Sequence, residues 1–549
     1  MASRAETQEP AAVAAAAAVT NTAASEATNT EIAPSADLTT AQCSASETEV
    51  QHDQDIEKAK GAAPTEEDPN IVFWDGDDDP QNPYNWPTWV KVFNCVLISA
   101  LTFVTPLASS MFAPGVPTLM HDFHTTSPLL GSFCVSVYVL GFAAGPMIFA
   151  PMSEVYGRLW IYNCANLCFF LFLIACALAP DMNSLIVFRF FSGVFGSAPL
   201  TNGGGTIADM ILQEHRGAAM ASFAIGPLLG PIIGPVIGGV VTNAVGWRWV
   251  FWIIAIICGV ISILFLIFAR ETYAPTLLQR KVNRLRKETG NPNLRSKLDT
   301  GLSAKEHFSR AILRPIKLLV LSPICAICNL YVGIVYAYLY LMFTSLTPLF
   351  IEVYNFDTVH AGLTFLGLGV GSMAGVVYFS SSSDKYMKKK AAEEKAALVA
   401  SGEVGADQDL SPLPMKPEYR LAPLRIGAIL LPAGFFIYGW TAYYHTHWIA
   451  PIIGTAVIGV GNLIVFMSLQ LYLVDVFTTY AASALAANAV VRSVAGAVLP
   501  LAGLPMYDKL GLGWGNSLLA FIAVALIPIP WLFMKHGAYL RKRFEIKNL

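Results

Sequence analysis

Hydrophobic residues in this chain come in long unbroken runs, not with the short period of a surface helix or strand. Runs of spanning length lie near 92–111, 130–151, 160–179, 184–207, 220–241 and 249–268. A second set lies near 324–346, 361–380, 423–443, 448–473, 484–504 and 516–534. A bilayer core takes about 20 apolar residues of helix. Lipid leaves only helices or closed barrels as spanning structures, and runs this long are helices. The pattern therefore predicts an all-α integral membrane protein of twelve transmembrane helices, in two sets of six around a charged segment, 270–323.

Composition agrees. The chain has 549 residues, 54% hydrophobic and 13% charged, against roughly 25% charged in a soluble domain. An ordinary soluble enzyme is excluded. The net charge of -3 hides an uneven spread. Residues 1–85 hold 17 of the 38 acids and three bases, Arg4, Lys58 and Lys60, and read as a disordered acidic tail. The small-residue run at 13–19 is too short to span and has no basic segment before it, so a cleaved leader is not expected. The expected organisation is this tail, a six-helix bundle (86–270), a linker (271–323), a second bundle (324–535) with a loop at 381–422, and a basic tail (536–549). Nine cysteines lie in the tail or in and beside apolar runs. Even Cys325 and Cys328, spaced like half a metal site, read as small hydrophobes.

Orientation follows from Lys and Arg. With both termini in the cytoplasm, 31 of 35 bases fall on that side; Arg248 and Lys509 fall outside, and Arg189 and Arg492 within spans. The halves look like distant copies. Ser153-Glu154-Val155-Tyr156-Gly157-Arg158 follows span 2 and Ser383-Asp384-Lys385-Tyr386-Met387-Lys388 follows span 8. Asp209 and Asp475 close spans 4 and 10. A 6+6 repeat is the sequence mark of a secondary transporter with its site between the halves.

The clearest motif is in span 5: Gly226-Pro227, Gly230-Pro231, Gly234-Pro235, then Gly238-Gly239. A step of four residues drifts only about 40° around a helix, so these form one stripe. Glycine admits a close neighbour and proline bends the helix, giving a close-packed, bendable seam. Span 8, with Gly362, Gly367, Gly369, Gly371 and Gly375, is the expected partner.

This stripe resembles the antiporter signature of the major facilitator superfamily, in its twelve-span drug:proton antiporter family. Ala150-Pro-Met-Ser-Glu-Val-Tyr-Gly-Arg158 resembles the motif of loop 2–3 in its fungal form, and Leu185-x-x-x-Arg189-x-x-Ser-Gly193 that of span 4. Arg270-Glu-Thr-Tyr-Ala-Pro275, Pro417-Glu-Tyr-Arg-Leu421 and Tyr480-Ala-Ala-Ser-Ala-Leu485 also look fungal. The resemblance covers about Asn85 to the end. It departs at Val155, where the family usually has an arginine. It implies two pseudo-symmetric six-helix bundles, a multi-pass plasma-membrane location in a fungus, a monomer, and proton-coupled export of drugs, fungicides, toxins or secondary metabolites. It also implies a proton-coupling role for Arg189, and Asp209 as partner of Arg158 in a cytoplasmic gate. Glu154, Gly157, Arg158, Asp209, Asp384 and Asp475 are the expected gate residues.

The residues add their own chemistry. A guanidinium within a span needs a cavity or a partner, which makes Arg189 the sharpest single position. Arg492 has two readings, cavity lining or snorkelling outward. No Asp or Glu lies deep within any span, so the proton carrier is not identified. Tyr336 and Tyr340 share a helix face and, with Gln470, Asn488 and Arg492, are the expected substrate cavity. Aromatics with a few polar groups suit bulky amphipathic ligands. No catalytic triad, zinc motif, phosphate loop or nucleic-acid surface is present, so no catalytic residue, metal, cofactor or nucleic-acid partner is expected. The expected partners are a small-molecule substrate, protons and the bilayer. A polyamine or organic-acid carrier of the same fold is the alternative. A membrane-embedded enzyme or receptor is the reading from a different class.

Overall fold

The computed structural model describes residues 70–76, 78–212, 215–299, 301, 304–400 and 416–544. Most of the acidic tail, residues 1–69, lies outside the described residues. Spans 1–6 are Thr88–Ser110, Pro128–Tyr156, Arg158–Ala177, Met182–Met210, Arg216–Val245 and Arg248–Phe268. Spans 7–10 are Pro323–Tyr354, Phe365–Ala400, Leu424–Tyr443 and Ile449–Val476. The next helix, Ala481–Leu526, is 46 residues long, about twice what a bilayer needs. It is divided at Gly511, whose φ of 71° and ψ of 168° are not helical. Spans 11 and 12 are its two parts, the second running on through Pro528–Arg543. The twelve helices expected from the apolar runs are present.

Local chemistry sets the turns. Gly157 and Gly246, at φ 94° and 91°, take backbone conformations open to glycine and reverse the chain between spans 2 and 3 and spans 5 and 6. Asp181 accepts from the N–H groups of Asn183 and Ser184 and so caps span 4. Asn355 closes span 7 in the left-handed region.

Two boundaries differ from expectation. Residues 70–85 were assigned to a disordered tail, yet the described ones, 70–76 and 78–85, are ordered. Ile71–Val72 pairs in parallel with Arg295–Ser296, and Val72 is buried with Val282 and Leu294. Lys281 Nζ lies 2.6 Å from Asp75 and 3.5 Å from Asp79 and donates to the Phe73 carbonyl at 3.0 Å. Burial pushes the Asp79 carboxyl up, but the N–H groups of Asp75 and Gln81 and the Lys281 ammonium outweigh it, leaving it below its usual value. The partner that orders this acidic segment is 200 residues away in the linker, so local composition does not reveal it. The second difference is at 381–400, expected as a loop. There span 8 continues as one helix, in a stretch of Lys, Glu and Ala, all good helix formers, with Lys390 pairing Glu393.

The linker holds two helices, Ala274–Thr289 and Ala304–Leu321. The second is amphipathic. Ile312, Leu313, Ile316, Val320 and Leu321 are exposed, while Leu318 is buried against Ala484 and Ala487 of span 11. This helix contacts both span 2 and span 11, so it touches both halves.

Candidate functional site

A cavity of about 690 Å³ lies between the halves, lined by spans 1, 2, 4, 5, 7, 8, 10 and 11 and by the linker helix 304–321. Sites for drug-sized ligands occupy about 300–1,000 Å³. Its walls run from Tyr340 and Phe343 in mid-bundle to Glu154, Arg310 and Ala482 at the end that carries the basic loops. The opposite end is closed by backbone packing. A Cβ on Gly239 would meet the Thr358 carbonyl at 2.8 Å and Gly362 Cα at 3.2 Å. Ser136 of span 2 donates to the Ala497 carbonyl of span 11 at 2.9 Å.

Tyr336, Tyr340, Gln470, Asn488 and Arg492, scattered over three spans, all line this cavity. Tyr336 and Tyr340 lie one turn apart with their rings tilted by 47° and centroids at 5.2 Å. The Arg492 guanidinium sits 5.2 Å from the Tyr336 ring and 5.4 Å from Phe466, which decides between its two readings: it lines the cavity. Asn488 donates to Asn329 at 2.9 Å, and Asn462 donates to the Val335 carbonyl at 2.8 Å, tying spans 10 and 11 to span 7. Tyr338, on the other face of span 7, turns away and donates to the Leu519 carbonyl in span 12.

The glycine stripe divides its contacts. Gly226, Gly230, Gly234 and Gly238 pack on Phe103–Met111 of span 1, within the same half. Gly239 alone of the stripe's glycines meets Thr358 and Gly362. Pro227 and Pro231, about 100° around the helix from their glycines, line the cavity, and the Pro235 carbonyl is 2.8 Å from a Cβ on Gly362. The expected pairing of the whole stripe with span 8 is therefore corrected. Of the five glycines expected to face the stripe, Gly362, in the short helix Thr358–Leu363 before span 8, and Gly369 face span 5, but Gly367, Gly371 and Gly375 pack on span 10. Spacing revealed the stripe but not which side each neighbour takes.

Arg189 does not line this cavity. It is 1% exposed and boxed by the rings of Phe112, Tyr138 and Phe251, with Cζ 5.0, 5.3 and 5.6 Å from their centroids. Its Nη2 donates to the Ser109 carbonyl at 3.2 Å. The Ser109 hydroxyl in turn lies 2.8 Å from Tyr340 Oη, which reaches the cavity. A buried cation of the first half is thus joined by span 1 to a cavity tyrosine of the second. Sequence reasoning missed Ser109, whose signal is weak: one hydroxyl in a helix of many.

At the basic end Gly157 turns the chain, and a Cβ there would meet Glu271 Oε2 at 2.4 Å. Glu271 accepts from the N–H groups of Arg158 at 2.9 Å and Leu159 at 3.2 Å, capping the free donors at the start of span 3. Arg158 Nε lies 3.3 Å from Asp209 Oδ2, its Nη1 donates to Ser153 at 2.8 Å, and its Cζ lies 4.9 Å from the Tyr273 ring centroid. In the second half Asp475 pairs with Arg420 at 2.9 Å, and Arg541 forks onto Glu418 at 2.9 and 3.0 Å. The repeat expected at 383–388 lies instead within a helix, and the Asp384 side chain lies outside the described residues. All of these contacts join elements of one half. Glu154 lines the cavity. Glu271 was missed as a site residue, although its signal was in the quoted motif: an acid just past span 6.

Comparison with known proteins gives this architecture its family. Residues 98–500 match the Major Facilitator Superfamily. The chain is 57% identical over 478 residues to the MFS-type transporter tndD of Aspergillus flavipes, covering 87% of this chain and 86% of that one. It is 49% identical over 484 residues to the efflux pump radE of Floropilus chiversii, covering 88% and 87%. Among solved structures, a D-xylose-proton symporter superposes with a TM-score of 0.59 at 15% identity, over 80% of this chain and 97% of that one. A bacterial homologue of the lysosomal transporter Spinster, inward-facing and unoccupied, gives 0.52 at 12%, over 84% and 99%. At such identity these two share the fold alone. With the family match spanning most of both halves, and relatives near half identity along almost nine-tenths of its length, the chain belongs to the major facilitator superfamily of membrane transporters.

Proposed function

We propose that the protein exports bulky amphipathic small molecules across a fungal plasma membrane by alternating access, with both termini cytoplasmic and inward proton flow as the driving force. One observation carries the reading: an aromatic and polar cavity between two six-helix halves, walled off at one end by Gly239 on Gly362 and extending to the basic end. Rocking the halves about such a central site exposes it to each side in turn. The relatives support the direction, since radE is described as an efflux pump. The excess of Lys and Arg at one end supports the orientation. We assign the coupling role to Arg189, which Ser109 joins to Tyr340 of the cavity, and the function requires no cofactor or catalytic group.

The test is flux in sealed vesicles of the purified full chain with an imposed pH gradient and a panel of dyes and fungal metabolites. Gradient-driven accumulation of apolar compounds is expected, and collapse of the gradient should stop it. Movement that ignores the gradient would remove proton coupling from the reading. Orientation is read separately. Single cysteines at Thr125 and His445 should react with impermeant reagents on intact cells, while one at Asn293 should not; the reverse pattern refutes the topology.

A further inference from the structure

The charge lining the cavity is one-sided. Among the described residues, its charged groups are Arg310, Arg314 and Arg492, against a single carboxylate, Glu154. No Lys, His or Asp joins them. Arg492 is the innermost of the three. Its guanidinium carbon lies over the rings of Tyr336 and Phe466, 5.2 and 5.4 Å from their centroids, and its buried Nε makes no hydrogen bond. A guanidinium in a span is costly unless it meets water or an anion, and its planar fork of donors, placed beside two rings, is suited to a carboxylate or similar oxyanion. Arg310 and Arg314 come from the linker helix, one turn apart on the face opposite Ile312, Ile316 and Val320. That helix runs against spans 2 and 11, so it sets two more guanidiniums at the basic-end mouth. Tyr340, Phe343, Phe365 and Phe466 supply the apolar wall.

We infer that the cavity selects amphipathic organic anions, with Arg492 holding the anionic group against the aromatic wall and Arg310 and Arg314 drawing it in at the mouth. The inference rests on the transport reading and names the substrate class of that site. It makes the linker helix part of the substrate path, which a connection between two halves does not by itself require. A lone ammonium in this cavity meets three like charges and one opposite charge, and like-charge contact is a standard device for rejecting a wrong ligand.

The experiment uses three probes with one fluorophore: dansylglycine (a carboxylate), its methyl ester (neutral) and dansylcadaverine (an ammonium). Binding is read by dansyl fluorescence on the purified full chain. Dansylglycine is expected to bind roughly tenfold tighter than dansylcadaverine, the scale of one charge-assisted contact. Arg492→Gln should weaken dansylglycine by roughly tenfold while leaving the methyl ester within about twofold, and Arg492→Lys should fall between. Arg310→Gln with Arg314→Gln should lower the anion-to-cation ratio by a smaller factor. Equal or tighter binding of the ammonium, no binding of dansylglycine, or an Arg492→Gln ratio equal to that of the unaltered protein overturns the inference. Should Arg492→Gln fail to fold, the Arg310/Arg314 pair decides, and an unchanged ratio there overturns it. Gradient-driven flux of the methyl ester without anion preference would sink this inference and leave the exporter reading standing. Anion-selective binding with no gradient-driven flux would do the opposite.

Discussion

Gly238→Ala is expected to be the most damaging single methyl group in the span 5 stripe. A Cβ there falls 1.8 Å from the Met111 carbonyl oxygen and 2.8 Å from its carbon. Both are backbone atoms of a neighbouring helix, so neither rotates away; span 1 must move as a body. Forcing an extra methyl group into close packing costs about 1–3 kcal/mol or more, and the upper end applies where backbone is the obstacle. Gly226→Ala should be milder, because its nearest neighbour, Phe103 N, is at 2.9 Å. At Gly234 the nearest atom, at 2.2 Å, is the Ser110 hydroxyl, which can change rotamer. Gly239→Ala is different in kind. Its obstacles belong to Thr358 and Gly362 in the other half, so it should destabilise this closed end and shift the alternation more than the fold. Thermal unfolding of the purified variants, beside gradient-driven flux, separates the cases. Equal losses of stability at positions 226 and 238 would contradict the packing account.

Arg189→Ala should abolish gradient-driven accumulation, with flux falling by roughly three-hundredfold or more. Two kinds of contact are lost, the hydrogen bond to the Ser109 carbonyl and the packing over three rings. A charge-assisted hydrogen bond contributes about 1.5–3 kcal/mol, and a desolvated cation over aromatic rings about 2 kcal/mol, where each 1.4 kcal/mol is a factor of ten. Arg189→Lys keeps the charge without the planar fork and should retain partial flux. Tyr340→Phe cuts the chain where it passes from the Ser109 hydroxyl to the cavity while leaving the aromatic box around Arg189 intact. It should reproduce the coupling defect with less loss of stability. Because Arg189 does not line the cavity, its loss should weaken substrate binding less than flux. Parallel loss of binding and flux in the Ala variant would make the residue structural, and normal gradient-driven flux would remove it from the mechanism.

The sequence carried the features that depend on solvent and on chain-local spacing. Twelve apolar runs have no other stable form in lipid, so the helices and their number were legible from hydropathy, including the division of spans 11 and 12 that the helix itself nearly conceals at Gly511. The Gly-Pro stripe and the tyrosine face of span 7 were legible because four-residue spacing fixes a helix face before anything packs on it, and Arg189 because a guanidinium inside an apolar span needs a partner. Tertiary structure decided what those faces meet. It set the stripe's glycines on span 1 and its prolines toward the cavity, because each helix has several neighbours and composition does not rank them. It enclosed Arg189 in three rings and joined it to Tyr340 through Ser109. It placed Glu271 on the start of span 3, 112 residues away along the chain. It folded residues 70–85 onto the linker through Lys281 and β pairing. It also turned a charged linker, read as a connection, into a wall of the cavity carrying Arg310 and Arg314. Each of these depends on pairs distant in sequence, and a pattern read along one chain records only what its own neighbours constrain.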